Sequence, residues 1–136
     1  MISLNKEAFP IIKEQDVIFF RNRLKEMANR MGMSLVNQTK LITAASELVR
    51  NMLKYANGGR AIVEIVSLSN KTGMKITFED KGPGIADIKQ AMQDGYSSSR
   101  SLGMGLHGAK RLVNEFNIKS VVGEGTTITV IRWKNG

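Results

Sequence analysis

The sequence has no cysteine, and among its 136 residues only two prolines, one tryptophan and one histidine. Without cysteine there is neither a disulfide framework nor a thiolate metal site. No apolar run approaches the roughly 20 residues needed to cross a bilayer. The N-terminus lacks the long apolar stretch of a signal peptide, so the cytoplasm is the expected location and no membrane partner is expected. Aromatic residues make up 6% of the chain, too few for the interleaved basic and stacking pattern that holds single-stranded nucleic acid. A Gly-Lys-Ser/Thr box is also missing, which excludes an ordinary P-loop.

What is present fits one compact domain spanning residues 1–136, with 42% hydrophobic and 24% charged residues. A chain of this length removes about two-thirds or more of its unfolded surface from water. The formal charge of +8 favours encounter with nucleic acid, an anionic small ligand or an acidic protein. Lysine and arginine are scattered, with only Lys110 and Arg111 adjacent, and no nucleic-acid partner is expected.

Residues 3–12 mix polar and apolar side chains and end near Pro10, which suits an edge strand. From about Asp16, Val17, Phe20, Leu24, Met27 and Met31 recur at helical spacing up to Gly32. Ser34 is a candidate N-cap for a second helix, whose stripe of Leu41, Ala45, Leu48, Met52 and Ala56 runs to Asn57-Gly58-Gly59. Residues 61–68 and 74–79 alternate as strands around turn chemistry at 69–73. A short helix is expected over 86–93, a serine-rich loop over 94–102 and a helix over 104–116. Strands over 118–122 and 126–133 flank Gly123-Glu124-Gly125 as a second hairpin. The fold class is α+β, a two-layer α/β sandwich with helices on one face of a mixed, largely antiparallel sheet.

Two glycine-bearing loops carry the chemistry. Asp80-Lys81-Gly82-Pro83-Gly84-Ile85 follows a strand; Gly103-Met104-Gly105-Leu106 opens a helix whose N–H groups and dipole favour a phosphate. The first is by itself turn punctuation, but Asp80 ends an apolar-facing strand, where a carboxylate needs donors such as an adenine amino group. The second also satisfies Gly-x-Gly-x-x-Gly through Gly108, yet the buried strand a dinucleotide fold requires before it is missing. Glu47 and Asn51 stand at i and i+4 beside the apolar stripe. Coupled to the two loops, they supply an oxygen ligand for Mg²⁺ and a carboxylate able to accept a proton from an attacking hydroxyl. Lys54 and Arg100 are each either a solvated charge or a phosphate ligand. His107 and the methionines read as packing residues.

Glu47-Leu48-Val49-Arg50-Asn51, the Asp80–Ile85 loop, the Gly103–Leu106 loop and Gly125-Thr126-Thr127 together resemble, in order and spacing, the motifs of the Bergerat-fold (GHKL) ATPases. These include gyrase, Hsp90, histidine kinases and MutL. Within them the chain is most similar to the RsbT-type bacterial switch serine/threonine kinases, relatives of the anti-sigma factors SpoIIAB and RsbW. The resemblance implies ATP and Mg²⁺ as cofactors, with Asn51 holding the metal and Glu47 acting as base. Asp80 would bind the adenine amino group, with Thr126 assisting through water. Gly82, Gly84, Ile85, Gly103, Met104, Gly105 and Leu106 would border the nucleotide and its lid, and Lys54 and Arg100 would meet phosphate. It further implies a STAS-domain antagonist as substrate and a phosphatase or a sigma factor as further partner. The alternative is an anti-sigma factor or a non-catalytic, ATP-gated binding module.

Overall fold

A computed structural model describes residues 1–93 and 105–135. The elements run β1 (Ile2–Ile11), α1 (Glu14–Arg30), α2 (Leu35–Ala56), β2 (Gly59–Leu68), β3 (Lys71–Asp80), α3 (Ile88–Ala91), α4 (Gly105–Arg111), β4 (Glu115–Val121) and β5 (Gly125–Trp133). The strands form one five-stranded sheet in the order β1-β2-β3-β5-β4. All four pairings are antiparallel, so among the described residues the sheet is not mixed. β1 is an edge strand, as Pro10 requires.

The two long helices begin where the sequence satisfies loose backbone donors. Asp16 accepts from the N–H groups of Ile12 (2.9 Å) and Lys13 (3.1 Å), so α1 starts two residues before the expected point. Ser34 accepts from Asn37 N at 3.2 Å and opens α2. That helix closes with Asn57 in the left-handed region, φ 59°, while Gly58 N bonds to Met52 O.

The apolar stripes of α1 and α2 pack on the inner face of the sheet. Phe20 of α1 is fully buried and meets the rings of Phe9 (5.4 Å between centroids) and Phe78 (6.4 Å) edge-on, joining α1 to β1 and β3. Met74, Ile76 and Phe78 of β3 and Ile128 and Val130 of β5 complete that layer. Arg23 ties α1 to β1 through Glu7, Nε to Oε1 3.0 Å.

Two expectations are corrected. The helix expected over 104–116 stops at Arg111, and Glu115 and Phe116 belong to β4. Asn114 turns the chain: its N–H bonds to Ile131 O and its side-chain Oδ1 accepts from Trp133 N. Leu112, Val113 and Phe116 still reach the core, so a helical apolar spacing survives in residues that are not helical. The turn chemistry at 69–73 reduces to Ser69 and Asn70, Ser69 taking φ 54°, with Leu68 paired to Lys71. Gly73 lies inside β3 instead, where a Cβ would approach the Trp133 ring to 2.7 Å.

Candidate functional site

The C-terminal half of α2, the ends of β3 and β5 and the start of α4 enclose a cavity of about 340 Å³. That is within the usual range for small-molecule sites. Its apolar floor includes Leu48, Met52, Phe78 and Ile128. Glu47 and Asn51 line it from α2. Each is half-buried, whereas Leu48 and Met52, one residue further on, are buried. The pair thus sits on the seam between the apolar stripe and the solvent face, where a polar head can meet a ligand without its stem leaving the core.

Asp80 is the last residue of β3, and the pleat that turns Met74, Ile76 and Phe78 inward turns Asp80 the same way. Its Oδ1 accepts from Gly82 N (2.9 Å) and Thr126 N (3.2 Å). Two backbone donors fix the carboxylate, and its second oxygen stays outside these bonds. An acceptor so held matches an adenine amino group.

The loop after β3 is pinned to the β4–β5 hairpin. Gly123 N donates to Pro83 O (2.8 Å), and Ile85 N donates to Ser120 Oγ (2.7 Å). Gly84 has φ +79°, and a Cβ there would overlap the Val121 carbonyl and lie 2.9 Å from Val122 Cα. Gly82 rests on the end of α2, where a Cβ would stand 2.5 Å from that of Ala56. In both places the close approach that glycine permits is to the protein itself, which sets the loop's height over the cavity.

Glu47, Asn51, Asp80, Gly84, Ile85, Gly105, Leu106 and Thr126 therefore meet around one cavity. Gly82 supports the loop from behind, and Lys54 is exposed on α2 with Nζ 5.4 Å from the Tyr55 ring centroid; neither lines the cavity. Arg100, Gly103 and Met104 lie outside the described residues. Sequence reasoning missed Ser120, whose hydroxyl joins loop and hairpin, and the walls given by Tyr55 and Ala91. The signal for Ser120 was its place two residues after Ile118 and four after Phe116, on the same face of β4.

Among the described residues no cluster of three His, Cys, Asp or Glu side chains could hold a metal ion. A cation here would rest on the Asn51 oxygen, phosphate oxygens and water, a set that suits Mg²⁺.

Residues 36–135 match the family described as histidine kinase-, DNA gyrase B- and HSP90-like ATPases. The chain belongs to this family. Among curated relatives of this ATPase family, the chain is 46% identical over 123 residues to the serine/threonine-protein kinase RsbT of Bacillus subtilis, covering 90% of this chain and 92% of that one. It is 31% identical over 121 residues to the anti-sigma F factor of Clostridium novyi, covering 85% of each. A solved structure of the RsbU and RsbW domains of a Mycobacterium tuberculosis protein superposes with a TM-score of 0.64 at 18% identity. It covers 94% of this chain and 32% of that one, and at such identity it supports the fold alone. By this kinship the chain is an ATP-using kinase of the family. Among the described residues no helix is long and apolar enough to cross a membrane.

Proposed function

We propose that the chain is one Mg²⁺-dependent protein serine/threonine kinase domain of a bacterial partner-switching pathway. Its substrate is a STAS-domain antagonist protein, and its release from that partner regulates a phosphatase. The observation that carries this reading is the meeting of Glu47, Asn51, Asp80, Gly105 and Thr126 around a single cavity. The 46% identity to RsbT supports the choice among the family's activities.

Asp80 accepts the adenine amino group through the oxygen that Gly82 and Thr126 leave open, and Thr126 adds a second polar contact. Leu48, Met52 and Ile128 form the apolar floor on which the base would rest. Gly105 and Leu106 border the phosphates, as Gly103, Met104 and Arg100 would from the segment before them. Asn51 would hold Mg²⁺ by its side-chain oxygen, and the ion would supply neutralisation of the charge on the transferred phosphoryl group. Glu47 accepts the proton of the incoming serine or threonine hydroxyl; the new O–P bond forms as the bond to ADP breaks.

Replacing Glu47→Ala should lower phosphoryl transfer by about 10²–10⁴-fold, the usual worth of a general base, while ATP still binds. Transfer followed with labelled ATP and a STAS-domain acceptor tests this, and an unchanged rate would remove Glu47 from the role. A second reading, an anti-sigma factor or an ATP-gated module that binds without chemistry, is favoured by the 31% identity to an anti-sigma F factor. The Glu47→Ala chain separates the two: regulation that survives the loss of transfer supports the binding module.

A further inference from the structure

Arg132 of β5 faces the helices, as Ile128 and Val130 do, and is buried, with 5% of its surface exposed. Among the described residues no carboxylate pairs with it. Two neutral acceptors hold its guanidinium instead. Nη2 donates to Asn37 Oδ1 in the first turn of α2 at 2.7 Å, and Nη1 donates to the Leu112 carbonyl, one residue past α4, at 3.4 Å. Nε is buried without a partner, the single side-chain polar atom of that kind among the described residues. A buried charge without an opposite charge, and a buried N–H without an acceptor, each cost stability. Sites that break such rules are where function is expected to ask for more than the fold does.

What Arg132 can do follows from α4. That helix spans seven residues, about 10 Å at 1.5 Å per residue, and only Ala109 near its middle is fully buried. One packed point fixes where a short rod sits but leaves its direction open. Gly105 and Leu106 at its start line the cavity, and Leu112 closes its last turn, N–H to the Ala109 carbonyl at 3.1 Å. Arg132 takes the Leu112 carbonyl, so the cation also stands at the negative end of the helix. We infer that Arg132 is a positioning residue: it ties the C-terminal end of α4 to the first turn of α2 and so sets the direction in which α4 presents Gly105 and Leu106 to the phosphates of a bound nucleotide. This rests on the reading of the cavity as an ATP site. Asn114 secures the start of β4 through Ile131 and Trp133, whereas Arg132 secures the end of the helix itself. The adenine end of the cavity, at Asp80 and Thr126, is built on β3 and β5 and stands apart from the tie.

Wild-type protein, Arg132→Met, Arg132→Lys and the double variant Arg132→Met/Asn37→Leu are titrated calorimetrically with magnesium ATP and, separately, with adenosine, and each is unfolded in urea. Arg132→Met should raise the ATP dissociation constant about three- to tenfold, the worth of one hydrogen bond, and leave that of adenosine unchanged. Arg132→Lys, whose three donors can serve both acceptors, should keep the two constants near their wild-type ratio. The double variant removes the buried charge together with its nearer acceptor, so it should be at least as stable as wild type while losing ATP affinity as Arg132→Met does. It carries the test if Arg132→Met alone fails to fold. Equal weakening of ATP and adenosine, ATP affinity unchanged once the guanidinium is gone, or a double variant that unfolds more readily than wild type would reduce Arg132 to a structural tie and overturn the inference. An Arg132→Lys chain that behaves as Arg132→Met does would overturn it as well. Failure of the wild type to bind ATP is a separate outcome, which defeats the reading of the cavity itself.

Discussion

At the scale of single residues, the site depends on backbone height as much as on polar groups. Gly84 shows why: its left-handed φ of +79° and the nearby Val121 carbonyl each oppose a side chain. The conformation alone costs a residue with a Cβ roughly 1–2 kcal/mol, and the overlap with backbone adds to it because a carbonyl in a strand cannot swing aside. Gly84→Ala should therefore lower stability by at least about 1–2 kcal/mol and weaken ATP binding by lifting the loop that Ile85 and Ser120 hold. Urea denaturation and a nucleotide titration on the same sample check both parts. Asp80 was legible in the sequence because a carboxylate at the end of an apolar strand demands donors. The identity of those donors was not, since Gly82 N lies two residues away and Thr126 N forty-six.

At the scale of elements, local rules placed most of the chain. Ser34 caps α2, Asn57 and Gly58 close it, and Pro10 keeps β1 at an edge. The cap is testable: Ser34→Ala should cost about 0.5–2 kcal/mol in chemical denaturation. Its effect on ATP affinity should be small, because Ser34 is about three and a half turns from Glu47 along the same helix. Local rules failed at α4. Leu106, Ala109, Leu112, Val113 and Phe116 fit one helical stripe, but the chain leaves the helix at Arg111 because Asn114 finds sheet partners in Ile131 and Trp133. An apolar residue such as Phe116, partly buried at the core's edge, fits a helix stripe and a strand face alike, so its spacing does not tell them apart.

For the whole molecule, the site is a consequence of one core. Phe20 lies between β1 and β3 with no exposed surface, and β3 carries Asp80 at its end. Phe20→Ala should cost about 3–5 kcal/mol. That is a large share of the roughly 5–15 kcal/mol typical of a whole domain. Thermal unfolding should show a much lower midpoint, and saturating ATP should recover part of it by mass action. The net charge of +8 acts at this scale too, raising the rate of encounter with an acidic partner in a salt-dependent way without choosing which one.

The sequence alone determined the elements that rest on neighbours in the chain: the two long helices, the hairpins, and the ordered motifs at 47–51, 80–85, 103–106 and 125–127. Their signals are spacing, capping and turn chemistry, all of which act over a few residues. Only the tertiary structure decided that Asp80, Thr126 and Ser120 form one row across the sheet, that Gly82 and Gly84 serve approach to the protein, and that Lys54 stands away from the cavity wall. Those facts depend on strand register and on which backbone lies against which, and such pairings join residues that no local rule can see.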